Sequence, residues 1–275
     1  MRLSVLLLTL EMSAAAVEVH GHRGARAVRP ENTLPAFLYA IDAGVDVLEL
    51  DMAVTKDDVV VVSHDPILNS VICTGPGPPR PIRSMSFDQL RQWDCGSKIN
   101  PDYPRQQPVP GTRVPTLDEV LALAPRGRFH FNIETKIKPT TPELAPEPER
   151  FAELVLAVVR KHRLEDRVIL QSFDYRTLRA MKKLEPRIRL AALYEDGPAD
   201  WVDLARGAGA SIVSPQKHLV TADKVKAAHA AGLRVVPWTA NEPAQWEALL
   251  AAGVDAIISD DPAALIAHLK RRGLR

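Results

Sequence analysis

VDVLELDMAVTKDDVVVVSHD, Val45–Asp65, holds two apolar runs with almost nothing between them. Along Val45–Val54, Glu49 and Asp51 lie two apart and so share one face of a strand. Val59–Val62 is a second run, ending in Ser63-His64-Asp65-Pro66. Only Thr55–Asp58 separates the two, far too few residues for the crossover a parallel pair requires. The spacing therefore predicts an antiparallel hairpin with its turn near Lys56–Asp58, which returns His64 to the side of Asp51. Taken as a return arm, the second run drops out of any parallel sheet, and that sets the strand count for the rest of the chain.

Upstream, Val17 and Val19 lead a short strand to Gly21, where His22, Arg23, Arg26, Arg29, Glu31 and Asn32 crowd in. Arginines beside a histidine suit an anionic, phosphate-like substrate, because guanidinium offers a fork of donors and imidazole moves a proton near neutral pH. Thr33–Ala43 reads as a helix, with Leu34, Phe37, Leu38 and Ile41 at helical spacing and Gly44 as its cap. Residues 66–112 are irregular and rich in Pro and Gly, with one helical piece over Ser86–Trp93, and read as an insertion capping one end of the domain.

From Val114 the rhythm is regular. Strands are expected over Phe129–Thr135, Val168–Ser172, Ile188–Leu193, Ser211–Ser214, Leu233–Thr239 and Ala256–Ser259. Helices alternate with them over Thr116–Leu123, Glu149–His162, Tyr175–Leu184, Pro198–Ala208, Ala222–Ala231, Pro243–Ala252 and Pro262–Lys270. The joins Ala43-Gly44-Val45-Asp46 and Ala252-Gly253-Val254-Asp255 are near copies. Eight β/α units in this length predict an α/β fold, a (β/α)₈ TIM barrel with a small insertion after the second strand's hairpin. A doubly wound open sheet is the alternative, but no GxGxxG follows the first strand.

With 275 residues, 46% hydrophobic, the chain has material for one large core. A net charge of +1 gives no general attraction to nucleic acid or to acidic membranes, and no run is long enough to span a bilayer. Met1-Arg2, the apolar Leu3–Leu10 and Ser13-Ala14-Ala15-Ala16 have the parts of a secretory signal over residues 1–16, leaving 17–275 as the barrel. On that reading the location is periplasmic or secreted; a buried first element in a cytoplasmic protein is the alternative. Cys73 and Cys95 are the only cysteines, a disulfide if exported and two thiols if cytosolic, and their spacing suits no metal.

The working end of such a barrel is the carboxyl end of its strands. His22 and Arg23 end the first, Glu49 and Asp51 ride the second, and Asn132, Glu134 and Lys136 share a face of the third. Gln171, Ser172 and Phe173 end the fourth, Ser214 the sixth, Trp238, Thr239 and Asn241 the seventh, and Ser259, Asp260 and Asp261 the last. Glu49, Asp51 and Glu134 make an all-oxygen nest for a hard divalent cation, Mg²⁺ or Ca²⁺; the alternative is neutralisation by Lys136 and Arg23. His22 and His64, on either side of it, suit an acid/base pair. His20 points inward with no evident partner and reads as a core histidine, and His130, His162, His218, His229 and His268 receive no role. Trp238 and Phe173 are core residues or the walls of a substrate's alcohol moiety. A serine triad is disfavoured because there is no GxSxG.

HRGA with PENT (His22–Ala25, Pro30–Thr33), LELD (Leu48–Asp51), VVVSHD (Val60–Asp65), NIETK (Asn132–Lys136), QSFD (Gln171–Asp174), PWTANE (Pro237–Glu242) and GVDAIISDDP (Gly253–Pro262) together resemble glycerophosphodiester phosphodiesterases. The resemblance implies a TIM barrel and hydrolysis of small-molecule glycerophosphodiesters to an alcohol and sn-glycerol 3-phosphate with a divalent metal. It implies His22 and His64 as catalytic acid and base, Glu49, Asp51 and Glu134 as metal ligands, and Arg23 and Lys136 as phosphate-binding groups, with Trp238 also fitting the pattern. Lysophospholipase D or sphingomyelinase D activity, or a non-catalytic barrel, are the alternatives.

Overall fold

The computed structural model describes residues 16–275, so all of the proposed leader except Ala16 lies outside the described residues. The strands are β1 (Glu18–Gly21), β2 (Val47–Val54), β3 (Val60–Val62), β4 (His130–Thr135), β5 (Val168–Ser172), β6 (Arg189–Tyr194), β7 (Ile212–Pro215), β8 (Arg234–Val235) and β9 (Ala256–Ser259). Eight of them run parallel in the order β8-β7-β6-β5-β4-β2-β1-β9. The N–H of Asp255 donates to Val235 O at 3.0 Å and that of Ile258 to Pro237 O at 3.1 Å, which ties β9 to the chain after β8 and closes the ring. The doubly wound alternative is thereby excluded, since an open sheet keeps two free edges.

β3 is the exception. It pairs antiparallel with β2, Met52 against Val62 and Val54 against Val60, as the four-residue turn requires. Ser63 N–H then donates to Asp51 O at 2.9 Å, so the return arm delivers His64 to the barrel rim.

Several predicted elements are shorter in the structure, among them the helical pieces Phe87–Leu90 and Leu117–Leu121, and two have a local cause. Leu233–Thr239 is a strand only over Arg234–Val235, because Pro237 has no N–H for the ladder and Trp238 keeps only a bridge to Gln216. The helix expected from Pro198 begins at Trp201, where the Asp200 carboxylate accepts the N–H groups of Val202 and Asp203.

Alternate strands fill the barrel in layers. At the floor Glu18, His130, Arg189 and Arg234 come from β1, β4, β6 and β8; Arg234 pairs with Glu18 at 3.0 Å and Arg189 donates to His130 Nδ1 at 2.8 Å. His130 therefore opens a strand and faces inward, not on a helix or join. Above lies an apolar plug that includes Ile169, Ala191, Ile212 and Val236, and above that the mouth. The larger core lies between the barrel wall and the helices, around Phe37, Phe131 and Phe151. Helix Leu34–Ala43 turns into β2 at Gly44, whose φ of 86° suits a residue without Cβ.

The insertion has its own small core, with Leu68, Ile82, Met85, Leu90 and Trp93 packed on Ala53 and Val61 of the hairpin. A disulfide joins Cys73 to Cys95 within it. No helix among the described residues is long and apolar enough to cross a membrane.

Candidate active site

The β1 strand ends because the chain turns sharply. Gly24 has φ 83°, and a Cβ there would lie 2.7 Å from the Ala36 carbonyl carbon. Arg23 also has positive φ, 49°, an uncommon conformation for an arginine. In that conformation its N–H reaches Glu49 Oε2 at 2.9 Å while its guanidinium turns into the mouth. There Nη1 donates to Glu31 Oε1 at 2.6 Å and Nε lies 3.2 Å from Asp51 Oδ2.

Register explains the carboxylate nest. Asp51 of β2 stands opposite Glu134 of β4, with Glu49 two residues below on the same face. Glu49, Asp51 and Glu134 are all buried, each offering an oxygen within 4.8 Å of the others. Lys136 Nζ lies 2.8 Å from Glu134 and 3.6 Å from Asp51. Gln171 donates to Glu49 at 2.8 Å and Asn32 to Asp51 at 2.9 Å. Three carboxylates thus face two permanent cations, Arg23 and Lys136. The imbalance shows in their acidities. Burial and the charge of Asp51 push Glu49 well up, and burial raises Glu134 against the pull of Lys136. Burial would also raise Asp51, but Arg23 and Lys136 outweigh it and hold it far down. Buried acids that resist ionisation beside one another, with oxygen donors only, fit a hard divalent cation.

Each imidazole near the nest has a carboxylate behind it. His22 Nδ1 lies 2.5 Å from Asp260 Oδ1, and His64 Nδ1 lies 2.8 Å from Asp65 Oδ1. A carboxylate only accepts, so both Nδ1 atoms carry the proton and both Nε2 atoms stay available for chemistry. His22 Nε2 lies 3.9 Å from Glu49 Oε2. Burial pushes the His22 imidazole below its usual value, against the charge and hydrogen bond of Asp260. Asp260 is held well down in turn: His22, Arg26 and Asn241 outweigh the effect of its burial.

His22, His64, Glu49, Asp51, Glu134, Arg23, Lys136 and Trp238 all line one cavity of about 180 Å³ at the carboxyl ends of the strands. Trp238 donates its Nε1–H to Ser214 O at 2.9 Å and meets Phe173 edge-on, ring centroids 5.6 Å apart, as one apolar wall. His20 lies below, fully buried, its Nε2 3.8 Å from Glu18 and neither ring nitrogen hydrogen-bonded.

Several contributing residues had no assigned role from sequence: Asp260, Asp65, Glu31, Asn32, Gln171 and Tyr103. Asp260 and Gln171 stand at strand ends and Glu31 and Asn32 in the polar loop, so position alone was a signal for these four. Nothing local marked Tyr103, which reaches Asp260 from the insertion.

A closed parallel barrel with acids, imidazoles and guanidinium gathered at its mouth is the architecture of an α/β-barrel enzyme with a site suited to an anionic substrate. The sequence pattern of the glycerophosphoryl diester phosphodiesterase family matches residues 22–264, and the chain belongs to that family. It is 32% identical over 255 residues to a glycerophosphodiester phosphodiesterase of Caldanaerobacter subterraneus subsp. tengcongensis, covering 93% of this chain and 98% of that one. A candidate glycerophosphoryl diester phosphodiesterase of Silicibacter pomeroyi superposes with TM-score 0.88 at 31% identity, over 94% of this chain and 95% of that one. A phosphodiesterase of Oleispira antarctica, solved with the product sn-glycerol 3-phosphate, shares the fold with TM-score 0.80 at 24% identity, over 93% and 97% of the two chains.

Proposed function

We propose that this enzyme hydrolyses glycerophosphodiesters to an alcohol and sn-glycerol 3-phosphate by acid/base catalysis between His22 and His64, with a divalent cation held by Glu49, Asp51 and Glu134. The observation that carries this is the buried carboxylate nest lying in one cavity with both carboxylate-backed imidazoles. Names of relatives above 30% identity support the substrate class.

Held by Glu49, Asp51 and Glu134, Mg²⁺ or Ca²⁺ would supply positive charge to offset the negative charge that develops on the phosphodiester. Arg23 and Lys136 hold the remaining phosphate oxygens by charge-assisted hydrogen bonds. His22, kept neutral by burial, accepts at Nε2 the proton of the attacking hydroxyl, which belongs to water or to the substrate's own glycerol. His64, nearer the opening of the mouth and acting as the imidazolium with Asp65 balancing its charge, gives its Nε2 proton to the departing alkoxide and is left neutral. Asp260 holds the His22 ring in the tautomer this requires, and Asp65 orients the His64 ring from Nδ1. Phe173 and Trp238 wall the alcohol side.

The Cys73–Cys95 disulfide supports export to an oxidising compartment, and cell fractionation tests that. The function is tested by following release of the head-group alcohol, choline or ethanolamine, from glycerophosphocholine, glycerophosphoethanolamine and lysophosphatidylcholine with Mg²⁺ or Ca²⁺, and of sn-glycerol 3-phosphate from the first two. Activity on the first two, lost in EDTA and restored by metal, is expected. A rate undiminished in EDTA removes the metal, and preference for the lysolipid replaces the substrate class with that of a lysophospholipase D.

A further inference from the structure

On the His22 side, the insertion reaches the site through one side chain. Tyr103 donates its hydroxyl to Asp260 Oδ2 at 3.0 Å, and Asn241 Nδ2 donates to the same oxygen at 2.6 Å. With Oδ2 gripped from two elements, the carboxylate plane is fixed and Oδ1 faces His22 Nδ1. The ring of Tyr103 lies beneath the Arg26 guanidinium, 4.6 Å from centroid to Cζ. Arg26 Nε donates to Glu31 Oε2 at 2.6 Å, and the other Glu31 oxygen receives Arg23. The hydroxyl thus leads to one proposed catalytic imidazole and the ring, through Arg26 and Glu31, to the proposed phosphate-binding arginine.

The segment is anchored where it does this. Gln106 donates to Arg26 O at 2.7 Å, and Arg105 pairs with Asp261 at 2.8 Å. Burial and the charge of Asp260 push the Tyr103 hydroxyl up to about 12, so it is a donor throughout neutral pH.

We propose that Tyr103 is a positioning residue for phosphodiester hydrolysis, through which the insertion sets the orientation of His22 by way of Asp260. The kinetic part rests on the activity proposed above; the orientation does not. Tyr103 stands two hydrogen bonds behind the His22 ring; outer groups that orient a metal-liganding imidazole commonly change activity by one to two orders of magnitude, and the lower end is the scale taken here.

The test compares Y103F, which loses only the hydroxyl, with Y103L, which also uncovers Arg26, in the full chain. The readouts are kcat and KM on glycerophosphocholine, Tm, and the downfield proton resonance of His22 Nδ1–H, assigned by its loss in H22Q. Y103F is expected to lower kcat roughly tenfold with KM and Tm near wild type, and to move the resonance. Y103L is expected to raise KM as well. An unmoved resonance in Y103F overturns the proposal, whether kcat is unchanged or falls only together with Tm. If the wild-type chain cleaves no glycerophosphodiester, the proposed activity fails, and the resonance alone decides the orienting role.

Discussion

At the scale of single residues, the site is built of pairs, each a group proposed to act and a partner that fixes its orientation. His22 and Asp260, His64 and Asp65, and Arg23 and Glu31 each put a charged or tautomer-fixing group behind a working one. His22→Ala and His64→Ala are each expected to lower kcat by about two to four orders of magnitude while Tm stays within a few degrees of wild type. Near-normal turnover in either variant rejects the pairing. Asp260→Asn keeps the shape but turns a donor toward His22 or frees the ring, so kcat should fall roughly 10- to 100-fold with KM little changed. The acids make a separate prediction. Mg²⁺ or Ca²⁺ at about a hundred times its Kd stabilises a protein by about 2.7 kcal/mol, a rise in Tm of roughly 5–10 °C at this size. Glu134→Gln should abolish that rise in a thermal melt; its survival would move the metal elsewhere.

At the scale of elements, the β2–β3 hairpin and the insertion that follows it do the assembling. The hairpin was legible because four residues cannot carry a crossover, and it alone brings His64, from outside the parallel sheet, to the rim. The insertion was legible only as an irregular stretch. Its tight connections, the Cys73–Cys95 bond and the contacts of Tyr103, join residues far apart in sequence through chain with no periodicity to reveal a direction. The disulfide also backs His64. Cys73 N–H donates to Asn69 O at 2.8 Å, and Asn69 Nδ2 donates to Asp65, which holds His64. Closing a loop of 22 residues' separation is worth about 3 kcal/mol on the chain-entropy account. Cys73→Ser with Cys95→Ser should therefore lower Tm by roughly 6–12 °C. A melt unchanged by reductant would show that the insertion's own core suffices to hold it.

At the scale of the whole molecule, the barrel is polar at both ends and apolar between. The mouth holds the carboxylate nest and the two carboxylate-backed imidazoles; the floor holds a smaller polar network in which Glu18 pairs with Arg234. Burial raises Glu18, but His20 and Arg234 more than offset this and bring it from an ordinary 4.5 down to about 2. A carboxylate more acidic in the folded than in the unfolded chain adds stability above the unfolded value, and that stability is lost as pH falls through the folded one. Glu18→Gln is accordingly expected to flatten the decline of Tm between pH 4.5 and about 2, and to lower Tm at pH 7. An identical slope in the variant would place the acid sensitivity in other carboxylates.

Strand number, barrel class, the hairpin and the gathering of His22, Glu49, Asp51, His64, Glu134 and Lys136 at strand ends were determined by the sequence alone. Each follows from a local rule: the period of side chains along a strand, the length of a turn, the need for a cap. The disulfide and the partners that orient the His22 ring were decided only by the tertiary structure. These depend on which donor meets which acceptor across 238 positions for His22 and Asp260, or 157 for Tyr103 and Asp260, and no periodicity reports a distance of that kind.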